Sequence, residues 1–587
     1  MADAHLDGGE ALLQACRDLG ADYIFSSAGS EWAPVWEALA RQAEQARQAG
    51  QAAGGAPPGP RYLDLTHETI AAGMATGYAA VTGRVQVVLL HAGAGLLQGA
   101  NAVHGALLTG VPVVVCSGES TGYGDAAGPD PGSQWYRNLS IVGGPQAMAA
   151  PFTKWACAAS DVGVLYDMVK RAGELAAQTP AGPTYVNTPV EVLLARWQPS
   201  PAVRPAPPAP QVVAADGDVE AAARLLAAAQ RPVLAVESAG RDPEGFAALL
   251  ELAELLAIAV VEPQSAVCAN FPRTHPLHQG SDLASLAADA DLVILLGCRA
   301  PWYPPSARPG AATVLVIDEA AHRPQMAYQV LAADRYVSGA TAPALRAITA
   351  RVRDLDPGAD AEAVRARRQR LEAAHAAADA ARIRAEQRAL ATAPGPVDAI
   401  AVTSTLRELL DPGAVVVDET ITHNRGVARH LMADRPGRYR YVQGGLGQGL
   451  GVALGAKLAV QRAGEDPDPM VVLTVGDGAW LYNPVLPGLM ASAQYGLPLL
   501  VVVYNNGSYL SMKYNHVRAY PEGAAARTGH YLGVDLSAQP DAAAVAAASG
   551  AAGFTVSTTA QLAPALDKAM AAVRGGQSAV VNVLLTK

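Results

Sequence analysis

In "LTVGDGAWLYNP", residues 473–484, one acid, Asp477, stands between Gly476 and Gly478 at the end of an apolar run. A second run ends in "VVVYNNGSY", residues 501–509, where Asn505 and Asn506 are adjacent, and 26 residues separate Gly478 from Asn505. A carboxylate is a hard oxygen ligand, and flanking glycines let the backbone come close to what it holds. An Asn amide oxygen from the neighbouring strand end completes one side of a Mg²⁺ octahedron. Mg²⁺ favours one or two protein oxygens plus phosphate oxygens, so the pattern implies a phosphorylated cofactor on the metal. The alternative is a pair of strand-end turns closed by Asx hydrogen bonds. Gly-Asp-Gly alone fits that alternative; two strand ends at this spacing fit the metal.

The elements that must position these residues are short apolar runs alternating with Ala-rich helical stretches. Examples are 85–90, 111–118, 231–238, 292–297, 313–318, 414–419, 471–476, 498–505 and 579–585. Apolar runs of this length bounded by Gly, Asp or Asn predict parallel strands buried on both faces. The fold class is therefore α/β with three doubly wound parallel-sheet domains, and ligands bind beyond the carboxyl ends of such strands. "RWQPSPAVRPAPPAPQ", 196–211, reads as an extended Pro-rich linker, and 356–393 as an Ala-, Arg- and Glu-rich helical connector with a solvated charged face. These cuts place domains at 1–195, 212–352 and 394–587.

Composition narrows the function. The chain has 587 residues, half of them hydrophobic and 16% charged, so several sizeable cores are expected. A net charge of −10 argues against nucleic-acid binding, which needs clustered Lys and Arg. Cys16, Cys116, Cys157, Cys268 and Cys298 are far apart with no Cys-x-x-Cys, so neither a disulfide framework nor a zinc knuckle is expected. The first 25 residues carry early acids and no apolar signal region, and no stretch reads as a membrane span. A soluble cytoplasmic protein is the expectation.

Gly-Asp-Gly, this spacer and Asn-Asn together resemble the cofactor motif of thiamine-diphosphate enzymes. The pattern is most similar to the acetolactate synthase, pyruvate oxidase and benzoylformate decarboxylase group, whose order is pyrimidine-binding, central and diphosphate-binding domain. The resemblance implies that Asp477, Asn506 and the Ser508 carbonyl hold Mg²⁺ on the diphosphate, with Gly476 and Gly478 alongside. It matches Glu68, in "LTHETIAAGMATGYAA", to the glutamate that contacts N1′ of the aminopyrimidine. A poorly solvated carboxyl there shares a proton with N1′, and the resulting imino tautomer deprotonates thiazolium C2. In "QGGLGQGLGVALGAKLA", 443–459, Leu446 matches the apolar wedge between the cofactor rings and Gly444 the carbonyl for the 4′-amino group. The glycines of this run are expected to let a loop and helix start approach a ligand. Thr420 and Thr422 in "DETITHN" would reach the diphosphate. Some relatives bind FAD in the central domain, but no motif here supports a cradle for it, and a structural role is expected.

For substrate, "LHAGAG", 90–95, resembles the "LHSAAG" of benzoylformate decarboxylases, which makes His91 a proton-transfer residue and Ser30 a contact for the substrate carboxylate. A histidine that merely hydrogen-bonds a strand end is the bland alternative. Where those decarboxylases carry a second histidine this chain has Tyr303, Pro304 and Pro305, and Ser511 and Asn515 replace an aromatic pocket wall. Thr153–Lys154 is shared with acetolactate synthases, although a structural Lys explains it equally. The resemblance implies a Mg²⁺-dependent 2-oxo acid decarboxylase or carboligase working through an enamine, with acetolactate synthase-type acyl transfer as alternative. An acceptor carbonyl compound would be a second substrate. A homodimer or homotetramer with shared sites is implied too. Two rivals are a serine hydrolase at Ser120, in "GESTG", and a non-catalytic homologue. A loop follows Ser120 where a nucleophile elbow needs a helix, and Glu68 is retained, so both rank lower.

Overall fold

The computed structural model describes residues 6–27, 29–48, 59–120, 129–133, 139–201, 203–323, 326, 329, 331–355, 361–391, 395–464 and 468–586. The first five residues, most of the loop after Ser120 and both ends of the Ala-rich connector lie outside the described residues. The chain forms two compact units. One comprises Met1–Pro210, Gln443–Glu465 and Asn483–Leu497; the other comprises Gln211–Val442, Asp466–Tyr482 and Pro498–Lys587.

The first unit holds one six-stranded sheet. Its strands are β1 (Tyr23–Ser27), β2 (Arg61–Asp64), β3 (Gln86–Leu90), β4 (Val113–Ser117), β5 (Ala156–Ala158) and β6 (Thr184–Asn187), in the order β2-β1-β3-β4-β6-β5. The second unit holds two sheets. β7 (Pro232–Val236), β8 (Ala259–Val261), β9 (Leu292–Leu296), β10 (Thr313–Asp318) and β11 (Arg335–Ser338) run β11-β10-β9-β7-β8. β12 (Val415–Glu419), β13 (Tyr439–Tyr441), β14 (Val471–Gly476), β15 (Leu500–Asn505), β16 (Ala552–Val556) and β17 (Ala579–Leu584) run β13-β12-β14-β15-β17-β16. All pairings are parallel. Parallel pairing demands a crossover between strands, here mostly helical, and those helices cover both faces. The expected α/β class with three doubly wound parallel sheets is the observed one. Val471 to Val475 are wholly buried, and a fully buried Val or Leu contributes about 1.5–3 kcal/mol.

In the first unit the helix Glu68–Thr82 is set at its start by His67, whose Nδ1 accepts the Thr69 N–H, and at its end by Gly83 with φ 68°. Its buried face is built of small residues because the helix Gly449–Ala463 lies against it backbone to backbone. A Cβ on Gly77 would stand 2.0 Å from the Val452 carbonyl oxygen, and one on Gly455 2.0 Å from that of Met74. Gly451 likewise faces Gly73. Part of the glycine run expected to approach a ligand is thus spent on helix packing, a correction the periodicity of one helix alone does not reveal. Gly77→Ala adds about 1 kcal/mol of helix propensity, yet it drives a methyl into a carbonyl that cannot swing aside. The clash wins. We expect a net loss of about 1–3 kcal/mol, read as a lower urea midpoint at unchanged slope.

Candidate active site

In the second unit, β14 delivers Asp477 at the first position of a short helix, 3% exposed. Its Oδ1 accepts the Gly478 N–H at 2.8 Å, and its Oδ2 accepts those of Gly507 (2.7 Å) and Ser508 (3.2 Å) and the Gln539 amide at 3.3 Å. Burial pushes this carboxyl up; the backbone N–H groups push it down. Gly478 admits no side chain, since a Cβ would meet the Tyr509 ring at 2.4 Å, and Gly476 lies beside the Thr420 carbonyl. The two asparagines divide the work. Asn505 is spent on the framework, donating to Asn582 and accepting from Gly507 and Gln539. Asn506 is 5% exposed, and its amide oxygen accepts the Ser508 hydroxyl at 2.7 Å.

Thr420 directly follows the neighbouring strand β12. Its backbone N–H donates to Asp418 at 3.0 Å, and its hydroxyl is buried with no hydrogen-bond partner among the described residues. The same holds for His423 Nε2, and burial lowers that ring's pKa. Between them Ile421 is held at φ 45°. A β-branched residue there is strained, and such strain gathers where a loop is shaped for a ligand. Thr422 is half-buried in that turn. Asp477, Asn506, Ser508, Thr420 and Thr422 thus stand at three adjacent strand ends.

In the first unit, Glu68 is half-buried at the head of its helix, and Gly95 and Gly99 leave it room: a Cβ on Gly95 would lie 3.3 Å from Glu68 Oε1 and 2.9 Å from His91 Cβ. His91 follows β3, and its Nδ1 lies 2.9 and 3.0 Å from the two oxygens of Glu31, which raises the imidazole pKa. Ser30 opens the 3₁₀ turn after β1 and is exposed. Gly444 and Leu446 lie in a loop tied to the helix Ala94–Thr109, where the Leu446 carbonyl accepts the Asn101 amide at 3.0 Å. Gly444 has φ 98°, and a Cβ there would meet Gly105 Cα at 2.7 Å.

The sequence reading missed two acids. Glu31 is adjacent to Ser30 but has no motif of its own. Glu119, buried beside Ser120 at the end of β4, was hidden inside a hydrolase-like string; its Oε2 and the Ser120 hydroxyl have no partner among the described residues. Burial raises Glu119 to about 7 against a hydrogen bond from the Ile141 N–H. Because its folded pKa lies above its ordinary value, its contribution to stability is present below about pH 4.5 and lost as pH rises through about 7. Glu119→Gln stays neutral throughout, so its Tm should exceed the wild type's at pH 8.5, and the gap should close toward pH 5. Lys154 proves structural, its ammonium donating to the Leu175 and Gln178 carbonyls at 2.5 Å each.

Three parallel sheets carry hydrogen-bonding side chains at their strand ends, the place where α/β folds take ligands. Residues 6–131 match the family model "Thiamine pyrophosphate enzyme, N-terminal TPP binding domain", 219–345 that of the central domain, and 421–583 that of the C-terminal TPP binding domain. The chain belongs to the thiamine pyrophosphate (thiamine diphosphate) enzyme family. It is 26% identical to the acetolactate synthase isozyme 3 large subunit of Escherichia coli strain K12, over 98% of this chain and 94% of that one. It is also 26% identical to a benzoylformate decarboxylase of Pseudomonas aeruginosa, over 77% of this chain and 80% of that one. The 4-hydroxybenzoylformate decarboxylase of Rhodococcus jostii RHA1 shares the fold, with TM-score 0.77, 21% identity and 99% of each chain covered. No helix among the described residues is long and apolar enough to cross a membrane.

Proposed function

We propose that this chain is a thiamine-diphosphate- and Mg²⁺-dependent decarboxylase or carboligase of a 2-oxo acid. Two observations carry the proposal: in one unit Glu68 and a carboxylate-bound His91 both flank Gly95, and in the other Asp477 and Asn506 share the Ser508 backbone and hydroxyl. The donor set suits Mg²⁺: one buried carboxylate, one amide oxygen and the Ser508 carbonyl leave room for phosphate oxygens. The orphaned Thr420 hydroxyl suits the diphosphate, with Thr422, Gly476 and Gly478 around it. Bound thiamine diphosphate supplies the electron sink that lets a 2-oxo acid lose CO₂.

The chain's own residues do the rest. Glu68 would hold the proton shared with the aminopyrimidine, Gly444 would offer its carbonyl to the amino group, and Leu446 would supply the apolar contact for the cofactor. Ser30 holds the substrate carboxylate, and His91 moves a proton at Nε2. Ser511 and Asn515, in the helix Leu510–Ala519, give the substrate side a polar character, so pyruvate-like acids should outpace benzoylformate. The acyl-transfer alternative of the acetolactate synthases differs only in the acceptor.

The domains at 1–195, 212–352 and 394–587 would serve as pyrimidine-binding, structural and diphosphate-binding parts. In the central sheet Glu237 at the end of β7 accepts from Ser265 and pairs with Arg299, and Asp318 at the end of β10 pairs with Arg323 through both oxygens. These acids are spent on ion pairs within the central sheet's own strand ends, in keeping with a structural role. A cytoplasmic homodimer or homotetramer completes the reading, with Glu68 of one subunit and Asp477 of another serving one site. Mixed Glu68→Gln and Asp477→Ala chains should then recover activity once subunits exchange.

The test is CO₂ and product release from a panel of 2-oxo acids, with and without an acceptor aldehyde, together with His91→Ala. Turnover should need thiamine diphosphate and Mg²⁺, and His91→Ala should lower kcat by roughly 10²–10⁴ at unchanged cofactor binding. A panel without any CO₂ release would overturn the reading.

A further inference from the structure

Glu31 is 1% exposed and makes three bonds at the end of β1. Its oxygens lie 2.9 and 3.0 Å from His91 Nδ1, and Oε1 also accepts the Ala92 N–H at 2.8 Å. Two glycines make the room. A Cβ on Gly29 would fall 1.8 Å from His91 Nδ1 and 2.1 Å from Glu31 Oε2, and one on Gly118 2.5 Å from Glu31 Cγ. Three strand ends, β1, β3 and β4, are therefore shaped around one carboxylate–imidazole pair. A buried carboxylate without a cationic or hydrogen-bonding partner would be costly, and here His91 and a backbone N–H supply the partners.

We propose that Glu31 is the positioning residue for His91: its carboxylate fixes the imidazole with a proton on Nδ1 and leaves Nε2 as the nitrogen that donates to the substrate. This rests on the proposed role of His91. When Nε2 gives its proton to the carbon that has lost CO₂, a C–H bond forms and the N–H bond breaks. The N–H electron pair stays on Nε2, the ring becomes neutral with Nδ1–H still on Glu31, and water restores the proton. The charged groups acting on the ring are Glu31, from the turn after β1, and Glu68, from the head of its helix. Both favour the imidazolium, and burial opposes them. The helix Ala94–Thr109 brings Gly95 against the ring's Cβ and no charge.

Glu31→Gln keeps an oxygen for the Ala92 N–H and removes the charge; Glu31→Asp keeps the charge on a shorter arm. Two readouts apply to the full chain. One is the pH dependence of His91 ethoxyformylation by diethyl pyrocarbonate, followed by peptide mass spectrometry, because only the neutral ring reacts. The other is the pH profile of kcat on the best 2-oxo acid. In Glu31→Gln the modification midpoint should move to lower pH, with kcat above neutrality down about 10–100-fold, the usual cost of losing a carboxylate behind a working histidine, and KM nearly unchanged. Glu31→Asp should recover most of the midpoint. An unmoved midpoint in Glu31→Gln overturns the positioning role by itself. A moved midpoint with unchanged kcat overturns the donor role of His91, and the catalytic half of this proposal with it.

Discussion

Asp477→Ala should lose thiamine diphosphate binding and turnover together, with kcat/KM down by more than about 10³-fold. The carboxylate does two things. Its Oδ2 gathers the N–H groups of Gly507 and Ser508 and the Gln539 amide, so it shapes the loop that carries Asn506. Deleting it strands these donors at about 1–3 kcal/mol for each that stays buried and unpaired, so the loop loses its form. The proposed Mg²⁺ also loses its charged ligand. A cofactor that binds only the folded state raises Tm by mass action. The wild type should therefore gain Tm with saturating thiamine diphosphate and Mg²⁺, and Asp477→Ala should not. An undiminished gain in the variant would remove Asp477 from the metal site.

Glu68→Gln should separate binding from activation. Gln keeps the size and hydrogen-bonding reach of Glu68 beside Gly95 and Gly99, but it cannot share a proton with an aminopyrimidine. The Tm gain with cofactor should survive. Turnover should fall by roughly 10²–10⁴, the worth of a positioned acid–base group, and deuterium exchange at C2 of the bound cofactor should slow in step. Equal loss of binding in both variants would mean that Glu68 holds the cofactor rather than activating it.

Most interior strands were legible because burial on both faces leaves unbroken apolar runs; β1 and β6 were not, because their Ser, Thr and Asn positions break the run although all are buried. All nine such runs became strands, among them β3, β4, β9, β14 and β15. Two edge strands, β2 and β11, escaped for the converse reason. "RYLD" of β2 and "RYVS" of β11 each bury one residue of four, so polar positions interrupt the run. Asp477 and Asn506 stood out because each directly follows one of two adjacent strands, β14 and β15, which two helices connect. The helix pairing of Gly73 and Gly77 with Gly451 and Gly455 was not, because it joins segments more than 370 residues apart. Glu31 and Glu119 were missed for a related reason: each acquires its character from burial and from a partner distant in sequence, His91 for Glu31 and the Ile141 N–H for Glu119, which no local pattern encodes. The resemblance alone singled out Asn506; the bonds of Asn505 to Asn582 and Gln539 give that residue a framework role that no local pattern encodes.

The most direct test of the central claim is calorimetric titration of the cofactor-free chain with thiamine diphosphate, run with Mg²⁺ and again with a chelator. Saturable binding that needs Mg²⁺, disappears in Asp477→Ala and persists in Glu68→Gln is the predicted result. Binding that ignores both the chelator and Asp477→Ala would contradict the account.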